Sequence, residues 1–454
     1  MKIDWKHIVL NNYFFLGLLI FQAGFCSIVN FSAEAQSSLI QTYLQYSRFI
    51  SSGFELSVEP YLYTFPMWGF GFILTITKSK TILIILQQLA AITTIFFIDD
   101  YLKKSKWNDR SIIIFRVLVV IGFPWFFFHA VIWPYSWGAN LLLIGVFSLF
   151  RYVNEHKFYW LIFSAGSLGL MLNFRSDYLY LVILFGFYLA YFIWLNKLSI
   201  KGILIWIGLI VLLILPWSQY SKLKTGHRLF KTTNKGHFLF ISLGQLSENS
   251  WGIIPYDTDS LMRKIIVEQT GQGNTMTYEA DAILTSKWLD LIVESPGEFA
   301  NKCLSNFGKL NESPFYGGEL WHHAPSVWED SLMRTDLDRR IQSYSRSLYD
   351  ESYQSWSDSK IMKFEFYQQR LITLFIYLAL IGYFVRFGKE VLRDPFAVVF
   401  LTLILYQVAI SIFTYYTKEH NTNLFLVYIL WIIYVFSEKK LFSKPLRRKD
   451  AAPL

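Results

Sequence analysis

The sequence predicts an all-α polytopic membrane protein, a transmembrane bundle of about ten helices carrying a mixed, mostly helical external domain. Three observations predict it. Apolar residues make up 54% of the 454-residue chain and aromatic residues 19%. Charged residues make up 17%, against about 25% in a soluble domain, and stretches such as Tyr178–Leu195 and Ile203–Trp217 carry none. Such stretches recur near the roughly 20 residues that a helix needs to cross the hydrocarbon core. Lipid offers no partner to bare backbone groups, so each stretch must close its own hydrogen bonds as a helix.

Ten stretches read as spans, in order Tyr13–Phe31, Thr81–Ile98, Ser111–Phe128, Ser136–Tyr152, Phe158–Phe174, Tyr178–Leu195, Ile200–Trp217, Leu371–Phe387, Pro395–Tyr415 and Thr422–Phe436. The first is long for the apolar core of a signal peptide and lacks a small-residue cleavage site, so it reads as a retained anchor. The eleventh apolar stretch, Tyr61–Thr77, is short and interrupted by Pro66, Gly69 and Gly71. Charge decides its status. If it does not cross and the N-terminus is inside, the inner loops and termini hold 19 Lys and Arg, and the short outer loops hold five: Arg48, Lys78, Lys80, Arg175 and Lys418. If it crossed, that bias would invert. The positive-inside rule therefore makes Tyr61–Thr77 a half-embedded segment and both termini cytoplasmic. The expected layout is a membrane module over 1–217, with an external loop at 32–60 and the half-embedded segment at 61–77. An external domain follows over 218–370, then membrane helices and a basic tail over 371–454.

The net charge of +9 is topological and marks no nucleic-acid surface: the polar region Ser218–Arg370 holds 17 basic against 19 acidic residues. Within it, Tyr278–Leu291 has helical spacing, Pro296 opens a second helix through Phe307, and Ser326–Leu348 reads as a charged surface helix. Cys26 lies in the first span and Cys303 in the polar region, a separation that argues against pairing.

The stretch after the first span carries the most chemistry. Ser32 is placed to cap a helix, with Glu34 in its first turn. Leu39, Ile40, Tyr43, Leu44 and Ile50 fall on one face, and Glu34, Ser38, Gln41, Gln45 and Arg48 on the other. That is an amphipathic helix at the membrane surface, with a carboxylate where the chain leaves the bilayer. Such a carboxylate can act as a general base; equally, it can simply complement the helix dipole, worth about 0.3–1 kcal/mol.

The succession Asn30-Phe-Ser-Ala-Glu34-Ala35-Gln36, then the amphipathic helix, then Ser52-Gly53 through Pro60, Pro66 and Trp68 resembles the GT-C superfamily of integral membrane glycosyltransferases, the group of protein O-mannosyltransferases and the aminoarabinose transferase. Glu34-Ala35 stands where that family has an Asp-Glu-Ala-like signature, with Ala33 in place of the first Asp. Gly166 through Arg175 resembles its Gly-rich span ending in a basic residue, and Leu215-Pro216-Trp217 the Pro-Trp closing its membrane module. Glu294-Ser-Pro296-Gly-Glu-Phe299 and Thr417-Lys418-Glu419-His420-Asn421 resemble further pieces.

The resemblance implies an enzyme that transfers a sugar from a polyprenyl-phosphate donor to a lipid, glycan or protein acceptor at the outer face of a plasma membrane. Glu34 would be the general base, with Arg175 and Lys418 on the donor phosphate. A second family acid is missing, because Ile132-Trp133-Pro134-Tyr135 occupies its place. Glu55, Glu59, His129 and His420 are the secondary candidates. No cofactor is demanded; a divalent metal ion held by Glu34 and a second acid stays open. His322 and His323 are adjacent and point apart, which makes no metal site. Two other classes compete. A surface-polysaccharide polymerase or ligase would use arginines such as Arg334, Arg339, Arg340 and Arg346. A lipid-linked glycan transporter would hold ionisable groups at the midplane, where the sequence offers Gln87, Gln88 and Gln407. Arg116 is close enough to a span end to snorkel.

Overall fold

The computed structural model describes residues 11–30, 38–53, 68–77, 79–105, 107–195, 200–246, 248–312, 360–387, 395–416 and 421–436. Every regular element among them is a helix. Five are long and apolar enough to cross a membrane, namely Thr81–Lys104, Pro134–Glu155, Ser176–Trp194, Lys201–Thr225 and Phe396–Phe413. The chain is an all-α membrane protein.

The first helices are α1 (Asn12–Asn30), α2 (Ser38–Ser51), α3 (Trp68–Thr77), α4 (Lys80–Lys104), α5 (Asp109–Ile121), α6 (Phe123–Ala130), α7 (Pro134–Glu155) and α8 (Phe158–Leu172). A 3₁₀ turn at Ser176–Tyr178 leads into α9 (Leu179–Leu195) and α10 (Lys201–Thr225). The polar region supplies α11 (Lys235–Ser242), α12 (Ser260–Thr270), α13 (Tyr278–Glu294) and α14 (Pro296–Glu312), and the chain returns through α15 (Lys360–Phe387), α16 (Pro395–Phe413) and α17 (Phe425–Phe436). Each of the ten apolar stretches falls on a helix, yet several are not simple spans.

Ser111–Phe128 is broken. Its two halves, α5 and α6, meet at a bend of 48°, because Pro124 cannot supply the N–H that would continue the ladder. At the joint, a Cβ on Gly122 would lie 2.6 Å from the Phe425 ring, so only glycine lets α17 approach this closely. α6 ends after eight residues at Ala130, which leaves its last carbonyls without a next turn. Side-chain amides of α4 take them: Gln87 donates to the carbonyls of His129 (2.9 Å) and Val131 (2.8 Å), and Gln88 to that of Phe126 (3.0 Å). These mid-span glutamines thus repair a backbone.

α17 has 12 residues, which cover about 18 Å at 1.5 Å per residue. It can be this short because it meets protein on nearly all sides: Leu424–Trp431 are buried without interruption. Elsewhere the bundle closes through small residues, as expected where lipid removes the hydrophobic drive between helices. A Cβ on Gly145 of α7 would lie 2.6 Å from Leu168 of α8, and one on Gly169 of α8 would lie 2.7 Å from Leu213 of α10. Leu215-Pro216-Trp217 does not end its helix. α10 runs on to Thr225, where Gly226 takes the left-handed conformation (φ 79) that stops it.

The amphipathic helix forms as α2. Its described apolar residues Tyr46, Phe49 and Ile50 pack against Trp68 and Tyr220, so this end of it rests on α3 and α10, where the sequence placed it on lipid. α3 is ten residues long, about half the length needed to span.

The polar region has its own core, in which Phe240, Met262, Ile266 and Leu284 meet. Asp259 and Thr277 cap α12 and α13 by accepting from Met262 N (2.6 Å) and Ala280 N (3.2 Å). Helices were expected at Tyr278–Leu291 and Pro296–Phe307, and α13 and α14 extend these to Glu294 and Glu312. The expected helix Ser326–Leu348 lies outside the described residues. One face of α14 holds the end of α16. Lys302 Nζ donates to the carbonyls of Ile412 (3.2 Å) and Thr414, and Asn306 Nδ2 to that of Ser411 (3.2 Å). These are carbonyls a helix C-terminus leaves open.

Burial pushes the Lys302 ammonium down to about 7 from lysine's ordinary 10.5; the neutral amine keeps donors for both carbonyls. Between those two values the folded chain binds fewer protons here than the unfolded chain, so this group's contribution to stability rises with pH across that window. The thermal midpoint of the wild type should therefore climb relative to Lys302→Met between about pH 7 and pH 10. Parallel curves for the two proteins would refute it.

Candidate functional site

One end of the bundle collects the elements the sequence singled out. α2 packs on α3, and the Ser47 and Thr75 hydroxyls lie 3.0 Å apart. α3 in turn docks on the turn joining α8 to α9: Gly69 N donates to Asn173 O at 3.0 Å, and a Cβ on Gly69 would lie 2.7 Å from that oxygen. The same turn meets the start of the polar region, where Ser176 Oγ lies 2.8 Å from Thr232 Oγ1.

Arg175 sits in that turn, 6% exposed. Nε donates to Asp177 Oδ1 at 2.7 Å and Nη2 pairs with Oδ2. The guanidinium lies 4.0 Å from the Tyr135 ring centroid and 5.2 Å from that of Tyr178, cation–π contacts that hold its plane. Its stem passes Gly138, where a Cβ would lie 2.8 Å from Arg175 Cγ. Tyr406 Oη of α16 donates to the Asp177 carbonyl at 2.6 Å, and Asn423 Nδ2 to Tyr178 Oη at 2.8 Å. The two-pronged pair uses one edge of the fork. The remaining nitrogen, Nη1, is buried without a partner among the described residues. A buried N–H left unmade costs about 1–3 kcal/mol, and a guanidinium never sheds its charge to avoid that. The site is a rigid, aromatic-walled guanidinium donor, its charge paired with Asp177 and one N–H edge left for an oxyanion such as phosphate.

The ion pair with Asp177, two residues on, thus leaves donor capacity over. Tyr178, Tyr406 and Asn423 carry no signal of this role in the sequence, and Tyr135 stands there only in the motif that replaces the missing acid.

His129 is placed otherwise. It is fully buried, its Nδ1 lies 2.7 Å from Trp125 O, and its Nε2 lies 2.9 Å from Asn140 Nδ2. Asn140 Oδ1 is 2.7 Å from Thr94 Oγ1, which makes the amide nitrogen the donor and assigns the imidazole proton to Nδ1. Both ring nitrogens are thus engaged, Nδ1 within α6 and Nε2 across to α7. Gly138 and Asn140 lie on opposite faces of α7, so the histidine and Arg175 occupy separate sites.

Glu34, Glu55, Glu59, Lys418 and His420 lie outside the described residues, as do His322, His323, Arg334, Arg339, Arg340 and Arg346. Their tethers are described. Glu34 is four residues from both Asn30 of α1 and Ser38 of α2. Gln245 pins Tyr416 with a 2.8 Å bond from its N–H and a 2.9 Å bond to its carbonyl, and Asn423 touches Tyr178. Lys418 and His420 fall between those two anchors. Among the described residues no three His, Cys, Asp or Glu side chains gather to hold a metal ion, and Asp177 is engaged by Arg175.

The opposite end holds a feature the sequence reading missed. α4 continues past Ile98 to Lys104, carrying Asp99 about 18 Å along the axis from Gln87. Asp99 Oδ1 and Oδ2 accept from Arg116 Nε (2.9 Å) and Nη2 (2.8 Å), and Arg116 Nη2 also reaches Asn12 Oδ1 at 2.8 Å. Asp100 accepts from Arg151 at 2.6 Å, whose guanidinium lies 4.5 and 4.6 Å from the ring centroids of Phe97 and Trp160. Arg116, 1% exposed, does not snorkel; it is committed to Asp99. Adjacent acids point about 100° apart on a helix, which ties α4 to α5 through one and to α7 through the other.

Compared with known proteins, the chain matches no family model, no curated protein and no solved structure.

Proposed function

We propose that this protein is a membrane glycosyltransferase that moves a sugar from a polyprenyl-phosphate donor to an acceptor at the outer face of a plasma membrane. The observation that carries the reading is the Arg175 site: a buried guanidinium, fixed by Asp177 and two tyrosines, with one N–H edge still open. A departing lipid phosphate gains negative charge as the sugar leaves, and a preorganised donor in a dry site stabilises it far more than water would. In this reading Glu34 takes the proton of the acceptor's attacking group, the sugar bond to phosphate oxygen breaks, and the new glycosidic bond forms with inversion. Lys418 assists at the phosphate. The chain crosses ten times with both termini cytoplasmic, α3 stays half-embedded, and the region 218–370 selects the lipid, glycan or protein acceptor. In support, the end of the bundle with Arg175 is also the end that carries the polar helices.

The test is a transfer assay with purified protein, radiolabelled polyprenyl-phosphate sugars and a membrane extract as acceptor source, run beside Glu34→Gln. Transfer by the wild type that falls by about 10²–10⁴ in the variant supports the enzyme and its base together. Transfer that survives keeps the enzyme and moves the base to Glu55 or Glu59. No transfer with any donor would sink the proposal.

A further inference from the structure

α14 is amphipathic the wrong way round for a helix on a water-exposed domain. Lys302 and Asn306 are fully buried, while Pro296, Ala300, Leu304 and Phe307 are exposed at spacings of four, four and three, with exposed Gly297 and Asn301 along one edge of that row. That spacing is one stripe of a helix, and here the stripe is apolar and outward. Leu304 is 68% exposed and Phe307 41%. The polar face is explained: it grips the carbonyls at the end of α16. Among the described residues the apolar face has no apolar counterpart.

Two observations say what covers it. The carbonyls of Ser411, Ile412 and Thr414, held by the polar face, belong to the end of a membrane-spanning helix, which places α14 at the depth where such a helix leaves the hydrocarbon. Asn311, on the same side of α14 as Leu304 and Phe307, accepts a hydrogen bond from Tyr377 Oη of α15. Tyr377 lies within the apolar part of α15, Arg370–Tyr383, whose Leu374 and Leu378 are 52% and 45% exposed as side chains facing lipid are. The stripe on α14 therefore continues the lipid-facing surface of α15.

We infer that α14 lies in the interface of the membrane, with Leu304 and Phe307 inserted among the lipids and its polar face turned inward onto α16. It is an interfacial helix built into the polar region, and it fixes that region's height and tilt over the bilayer. The inference is independent of the transferase reading.

Nitroxide labels test it in nanodiscs. Leu304→Cys and Phe307→Cys are made separately in a Cys26→Ala, Cys303→Ser background, with Glu268→Cys on the exposed face of α12 as the water-facing reference. Both test positions should show an oxygen-to-nickel-chelate accessibility ratio several-fold above that at position 268. A ratio equal to the reference overturns the inference. So does protection from both agents, which would mean a second copy, another protein or another part of this chain. If the cysteine background does not fold, the wild-type chain in vesicles bearing a diazirine lipid answers the same question: label mapped to 296–312 supports insertion, and label on the spans but absent from that peptide refutes it.

Discussion

Arg175→Ala is expected to lower sugar transfer by about 10²–10³ while the protein still folds. The size follows from what the side chain does. Nε and Nη2 are committed to Asp177, the ring faces of Tyr135 and Tyr178 hold the plane, and Nη1 alone is open to a ligand. Alanine removes the charge and the preorganised donor together. Folding should suffer little, because the Asp177 side chain is 40% exposed and water can replace its partner. Lysine should not rescue: its ammonium is a compact point charge that cannot bridge Asp177 and a phosphate with a planar fork. Steady-state transfer in nanodiscs, with the thermal midpoint as folding control, measures both. Unchanged transfer in a folded Arg175→Ala protein would reduce Arg175 to a brace of the α8–α9 turn.

The second large effect belongs to the other end of the bundle and concerns stability. Asp99→Leu should destabilise the protein by about 3–5 kcal/mol, since it takes the two-pronged carboxylate partner from a buried, permanently charged Arg116. Arg116→Met should cost less. Lys103 Nζ already lies 2.8 Å from Asp99 Oδ2 and its side chain is one-third exposed, so it can take over the carboxylate. The double variant should recover most of the loss, because an apolar pair of similar volume carries no stranded charge. Thermal or denaturant unfolding of the three purified variants gives the ranking. A double variant as poor as Asp99→Leu would show that packing, and not charge, sets the cost.

The membrane character of the chain was legible because it rests on composition and on stretch length, both local. The partners that matter were not local. Asp99 follows directly on the apolar run ending at Ile98, so it reads as the polar end of a span; the helix in fact continues, and the carboxylate turns inward to an arginine 17 residues away. Arg175 was legible as a basic residue at a span end, but its setting is assembled from Tyr135, Tyr406 and Asn423, which are far apart in sequence. Gly122 and Pro124 are ordinary signals of a break, and their apolar surroundings masked them. Pro216 misled in the opposite sense: a helix among neighbours tolerates a proline, and α10 passes through it. The exposed stripe of α14 was visible as spacing, yet which side of a helix faces inward is decided by what the other side must hold.

Among the described residues α17 packs against α5, α6, α15 and α16, all of which precede it in the chain, and they enclose it. During synthesis the earlier spans therefore reach the bilayer while the space beside Gly122 and Phe396 is still empty of its occupant. Their walls around that space can pack fully only once α17 has joined them. Packing of this part of the bundle is in that sense gated by one short segment, because α5, α6, α15 and α16 share α17 as a common partner.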